Sequence, residues 1–254
     1  MNQVLSVIEA RSSLRRYADK PISPEDKQAI LHSALRAPTA GNMMLYSIID
    51  VTDQAKKDFL VKSCDNQPFI AKAPMVLVFV LDFSKWYEYY RVSGVPQWCA
   101  EQDKAMHYPQ EGEFLLAAND AIIAAQNAVI AAESLGIGSC YIGDIMEHYE
   151  AHRDLFKLPE LAFPVTMLTF GHYPEDMERV KRDRYDAKYV VFENEYQELT
   201  DAELVEMNTA KKYPEKEDNF GLWMYKRKNG TDFMDEMSRS VKAGIDAWNS
   251  YGKK

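Results

Sequence analysis

The first stretch with chemical potential is EARSSLRRY, residues 9–17, where Arg11, Arg15 and Arg16 stand with Ser12 and Ser13. The stretch is either a solvated, charged helix end or a place where an anion docks; guanidinium forks and short hydroxyl donors suit a dianionic phosphate. A second basic run, ERVKRDRY, supplies Arg179, Lys181, Arg182 and Arg184. Alone it reads as a solvated turn; together with the first it can converge on one phosphate. Between them, PTAGN (38–42) is a tight polar turn that reads either as a simple helix stop or as small residues that let backbone approach a planar ring, with Asn42 as a hydrogen-bonding group.

Other patterns point away from chemistry. GIGSCYIG leaves a helix and enters a strand, the reverse of a dinucleotide fingerprint, so Gly136 reads as a helix cap. Close backbone approach to a flat ligand stays open for Gly138 and Gly143. His148 and His152 lie four apart but lack the H-E-x-x-H order, and read as surface histidines without a metal. No G-x-S-x-G or comparable nucleophile motif occurs.

The elements that must carry these residues follow from periodicity. Val4, Leu5, Val7 and Ile8 give a first helix one apolar face. Ser23 as N-cap and Pro24 at the first helical position open a second helix that stops near Pro38. Strands are expected at 46–52, 74–82, 139–143 and 163–171. The helix from Glu113 to Leu135 is apolar nearly all round, which calls for burial in a core or between subunits. Residues 84–112 form an aromatic, charged insertion of lid-like character, and residues 200–254 a charged helical tail; with no linker or repeat, one α+β domain spans 1–254.

Composition sets the outer limits. The 254 residues carry a net charge of −9, which argues against nucleic-acid or membrane-surface partners. Cys64, Cys99 and Cys140 are scattered, as expected in a reducing cytoplasm. Gln126, Asn127 and Glu133 interrupt the most apolar run, so no membrane span is expected.

R-x-S-x-R-x-Y, PISPEDKQAILHSALRAPTAGN, ESLGIGSCYIG and RDRYDAKYVVFENEY, in that order, resemble the FMN-dependent nitroreductase family over about residues 4–196. Gln67 in NQPFIAKAP and the KLPE segment are most similar to its NADPH-dependent flavin reductase and oxygen-insensitive nitroreductase branch. The resemblance implies a mostly antiparallel central sheet flanked by helices, in an interlocked homodimer with FMN between the chains. It implies phosphate contacts from Arg11, Ser12, Ser13, Arg182 and Arg184, with Arg182 preferred over Lys181. Arg15 and Gln67 would meet the pyrimidine half of the ring, and Tyr141, Ile142 and Gly143 its opposite face. Pro38, Thr39, Ala40 and Asn42 would come from the partner chain, and the helical tail would wrap that partner.

The implied activity is ping-pong hydride transfer through flavin N5, from NADPH or NADH to a nitroaromatic, quinone or flavin. An arginine at the pyrimidine edge tunes such a flavin, and no protein nucleophile is required. Reductive dehalogenation, flavin fragmentation and a non-turnover flavin-binding regulatory module are the alternatives. The chain departs from the family at NMMLY (42–46), where polar and aromatic groups usually follow the turn, and beyond Tyr196.

Overall fold

A computed structural model describes residues 2–214, 216–217 and 219–253. They form two compact units, one of residues up to Arg179 with the tail from Glu236, the other Val180–Asp235. The helices, in chain order, are α1 (Gln3–Ala10), α2 (Pro24–Leu35), α3 (Gln54–Ser63), α4 (Phe69–Lys72), α5 (Ser84–Val92), α6 (Val95–Glu101), α7 (Glu111–Ser134), α8 (Tyr149–Phe156), α9 (Asp201–Asn208), α10 (Phe220–Met224) and α11 (Asp232–Asn249). Strands β1 (Tyr46–Asp50), β2 (Met75–Asp82), β3 (Ile137–Ile142) and β4 (Ala162–His172) make one antiparallel sheet in the order β1-β2-β4-β3.

Local chemistry explains the ends of these elements. The Ser23 hydroxyl accepts the Asp26 N–H at 3.0 Å and Pro24 opens α2, as its sequence predicts. Gln110 and Glu113 cap α7 reciprocally, and Gly136, at φ +72°, ends it as the expected helix cap.

Both sheet faces are covered. Met75, Leu77, Phe79 and Leu81 of β2 pack with the alanine stripe of α7, whereas Val76, Val78 and Val80 pack with Leu60, Cys64 and Ile70. In β4 the pairing register shifts opposite Phe79 and Val80. The shift swaps the strand's parity, so Phe163 and Val165 share a face with Leu168 and Phe170.

α7 is long and apolar enough to cross a membrane by length and composition, despite its polar interruptions. Here Ala117, Ala121, Ala124, Ala125 and Ala128 are buried on the protein's own sheet, whereas Leu115, Leu116, Ile122 and Ile123 face outward. The tail from Glu236 docks on its own chain. Trp248 is buried, its indole N–H reaches the Gln110 carbonyl at 3.0 Å, and only a glycine fits at 244 against Phe163.

The aromatic insertion holds α5 and α6, and much of it is packing. Tyr87 is buried and stacks on Tyr108, and the Trp86 indole donates to the Met43 carbonyl at 2.8 Å. Tyr89 and Trp98 remain exposed.

Candidate functional site

After α1 the chain turns extended at Arg11 and runs along the free edge of β3. Ser13 pairs with Ser139 in parallel, the Leu14 N–H donates to the Ser139 carbonyl at 2.9 Å, and the Ala18 N–H reaches His172. Extended backbone alternates its side chains, so Leu14 is buried while Ser13 and Arg15 are exposed, and Arg11 shares their side. Two glycines make the docking possible. A Cβ at Gly138 would stand 2.7 Å from Leu14 and 2.6 Å from Tyr173, and one at Gly171 would stand 2.4 Å from Tyr17. The close approach at Gly138 is therefore to the chain itself rather than to a ligand.

Charge pairing separates the arginines. Arg16 holds Asp176 through two bonds of 3.0 Å. Among the described residues, neither Arg11 nor Arg15 is paired with a carboxylate. Both guanidinium groups act on the Cys140 thiol: burial pushes that thiol up, and Arg15, Ser13 and Arg11 oppose the shift. Tyr141 lies in the same field, its phenol pushed up to about 12 by burial and drawn down by Arg11. A cavity of about 590 Å³ adjoins Arg15, lined also by Arg16, Tyr17, Pro68, Phe69 and Lys72.

Arg11, Ser13, Arg15 and Tyr141 are thus brought together. Ile142 is buried beside Tyr141, and a Cβ at Gly143 would meet nothing closer than Met146 at 3.9 Å, so that position stays open. Gln67 directly precedes the cavity residue Pro68, and its amide donates to the Cys64 carbonyl at 2.9 Å. The Ser12 hydroxyl is buried, without a hydrogen-bond partner among the described residues. Arg182 and Arg184 are exposed in the second unit and carry no ion pair among the described residues.

Pro38, Thr39, Ala40 and Asn42 form a separate turn. The buried Asp120 of α7 accepts the Ala40 N–H at 3.0 Å, the Leu45 N–H at 3.2 Å and the Thr39 hydroxyl. Gly41, Asn42 and Met44 all have φ above +50°, so these bonds hold a turn the backbone would not favour unaided. Among the described residues, no hydrogen bond or ion pair joins this turn to the Arg11–Arg15 segment.

The sequence pattern of the nitroreductase family matches residues 8–172. The chain belongs to the nitroreductase family. Its match covers every member of the Arg11–Gly143 set and stops before Arg182 and Arg184. The chain is 32% identical over 216 residues to the FMN reductase (NADPH) of Bacillus subtilis, covering 84% of this chain and 82% of that one. It is 31% identical over 199 residues to the oxygen-insensitive NADPH nitroreductase of Salmonella typhimurium, covering 78% and 77%. The structure of NADPH:FMN oxidoreductase from Vibrio harveyi, complexed with NAD⁺, superposes with a TM-score of 0.75 at 25% identity, over 96% of this chain and 98% of that one.

Three features of this nitroreductase-family fold are not foreseeable from sequence. Asp120 is one acid in an alanine-rich helix, and its role emerges only when α7 meets the turn. His152 is not a surface residue: it is fully buried, with Nδ1 at 2.9 Å from the Ile145 carbonyl and Nε2 at 2.8 Å from the Ser63 hydroxyl, and burial lowers its pKa. Among the described residues no group of three or more His, Cys, Asp or Glu is placed to hold a metal. Glu147, shortly after Gly143, is buried with Oε1 unpartnered among the described residues. Burial, then Asp144, Asp65 and Glu236, push its carboxyl up to about 7.

Proposed function

We propose that this protein binds FMN and carries reducing equivalents from NADPH or NADH to a small-molecule acceptor, a nitroaromatic, quinone or flavin. The observation that carries the reading is the pair of guanidinium groups, Arg11 and Arg15, without carboxylate partners on one side of an extended segment, with Arg15 lining a cavity. An uncommitted arginine at a cavity of ligand size, with a second on the same segment, fits an anionic cofactor well. The names of the curated relatives support the same chemistry.

In this reading Arg11, Ser13 and the Ser12 backbone hold the phosphate, joined by Arg182 and Arg184. Arg15 would face the pyrimidine edge, Gln67 would offer the ring its amide oxygen, or its NH₂ on release from the Cys64 carbonyl, and Tyr141, Ile142 and Gly143 would line the other face. Bound FMN supplies hydride transfer at N5; Arg15 places positive charge where reduction adds negative charge. Pro38, Thr39, Ala40 and Asn42 would complete the site from a second copy of the chain; among the described residues no hydrogen bond or ion pair ties them to Arg11–Arg15 within one protomer. Exposed Val4, Leu5 and Ile8 on α1, and Leu115, Leu116, Ile122 and Ile123 on α7, support a homodimer. Three buried, unpaired cysteines support a cytoplasmic setting.

The test uses purified protein loaded with FMN. NADPH or NADH added without oxygen should bleach the yellow colour, and a quinone should restore it. Colour that neither nicotinamide bleaches would mark a flavin-binding module that does not turn over.

A further inference from the structure

Beneath the Arg11–Ser13 segment lies a group of three side chains that the site itself does not use. Glu133, in the last turn of α7, is a buried carboxylate with its side chain only 2% exposed. It accepts the Tyr173 hydroxyl at 2.8 Å and the Arg179 guanidinium at 2.6 Å. The Arg179 guanidinium also lies 3.7 Å from the centre of the Tyr173 ring. The three contacts close on one another, so each side chain is fixed by the other two. Gly138 fixes the ring from the sheet, because any side chain there would strike it.

The same Tyr173 hydroxyl lies 3.3 Å from the Ser12 carbonyl, sharing its proton between that oxygen and Glu133. Around it the extended segment is tied to the sheet by the Ser13–Ser139 pairing and by the Leu14 and Ala18 N–H groups, while the Arg11 N–H closes α1. To these backbone anchors Tyr173 adds a side-chain contact at Ser12, the residue between Arg11 and Ser13. Unlike Arg182 and Arg184, which carry no ion pair among the described residues, Arg179 has its charge committed to Glu133.

We propose that Glu133, Tyr173 and Arg179 are positioning residues for the cofactor phosphate: from below, they set the Ser12 carbonyl and with it the Arg11 and Ser13 donors. The proposal rests on the reading of Arg11–Arg15 as the FMN-binding segment. It makes a demand that a merely structural role does not. Loosening the network should weaken the grip on the phosphate and leave the grip on the ring unchanged.

Dissociation constants for FMN and for riboflavin, which lacks the phosphate, are measured by fluorescence quenching on the purified wild type and on Tyr173→Phe, Arg179→Gln and Arg11→Ala. Tyr173→Phe and Arg179→Gln should each weaken FMN about tenfold, the scale of one lost hydrogen bond, with riboflavin changed less than about twofold. Tyr173→Phe removes one oxygen and carries the test alone if Arg179→Gln does not fold. Equal weakening of both flavins, or of neither, overturns the proposal. Arg11→Ala separates the two levels. If it too spares the preference for FMN over riboflavin, the phosphate assignment falls and the positioning role with it. If Arg11→Ala abolishes the preference while Tyr173→Phe keeps it, only the positioning role is wrong.

Discussion

Asp120→Asn probes the turn that the dimer reading gives to the partner's flavin. In the native turn one carboxylate oxygen takes the Leu45 N–H and the Thr39 hydroxyl, and the other takes the Ala40 N–H. The Thr39 oxygen in turn accepts the Met44 N–H at 2.8 Å. An asparagine keeps one oxygen. The less costly flip leaves it on Leu45 and Thr39, so the Ala40 N–H then meets an NH₂ donor. A buried N–H without an acceptor costs about 1–3 kcal/mol, and the remaining bonds lose their charge assistance. We therefore expect a loss of about 2–4 kcal/mol, which for a chain of this length lowers Tm by about 5–12 °C. Thr39→Val, which removes one hydroxyl, should cost about 1 kcal/mol. The assay is thermal unfolding followed by circular dichroism, with FMN affinity measured on the same samples. An Asp120→Asn variant that melts within about 1 °C of wild type would refute the claim that this carboxylate holds the turn.

Further outcomes follow from the same geometry. Replacing Arg182 or Arg184 by Ala should weaken FMN by about 1.5–3 kcal/mol each, tenfold or more in Kd, with the fold intact; equilibrium dialysis reads this, and wild-type affinity in both would return the late cluster to a solvated turn. If the flavin binds only the assembled pair, sedimentation should show FMN driving dimer formation, and a stable, fully loaded monomer would contradict the shared site. Glu147 gives a pH prediction. Its folded carboxyl is pushed up from about 4.5 to about 7, so the folded state holds the extra proton between these values. Its stabilising contribution is complete below about pH 4.5 and lost as pH rises to about 7. Glu147→Gln should accordingly be more stable than wild type at pH 8, by about 1–2 kcal/mol in urea unfolding after allowance for solvent screening, and show little advantage at pH 5.

The sequence made the secondary structure legible where the signal was local. Ser23 and Pro24 marked the start of α2, Gly136 the end of α7, and the expected strands lie within two residues of β1 to β4 at every end. Residue type and spacing in the RSSLR segment were enough to raise the reading of an anion site, which the structure leaves as a proposal. What stayed hidden depends on partners far along the chain. Asp120 meets residues about 80 positions away, and Glu133 joins Tyr173 and Arg179 across 40 and 46 positions. His152 looked like one of a surface pair because periodicity does not reveal that α8 turns that face toward Ser63. Arg179 looked like part of a basic cluster because sequence does not show which charge is already neutralised.

The central claim is that Arg15 sits at the pyrimidine edge of a bound FMN, and the midpoint potential of that FMN tests it most directly. Arg15→Met keeps an unbranched stem and removes the charge. Reduced FMN is anionic near that edge, so losing the guanidinium should lower the potential by about 30–60 mV, the two-electron equivalent of a charge-assisted contact. A midpoint potential equal to that of the wild type, with FMN still bound, would place Arg15 away from the ring and contradict the account.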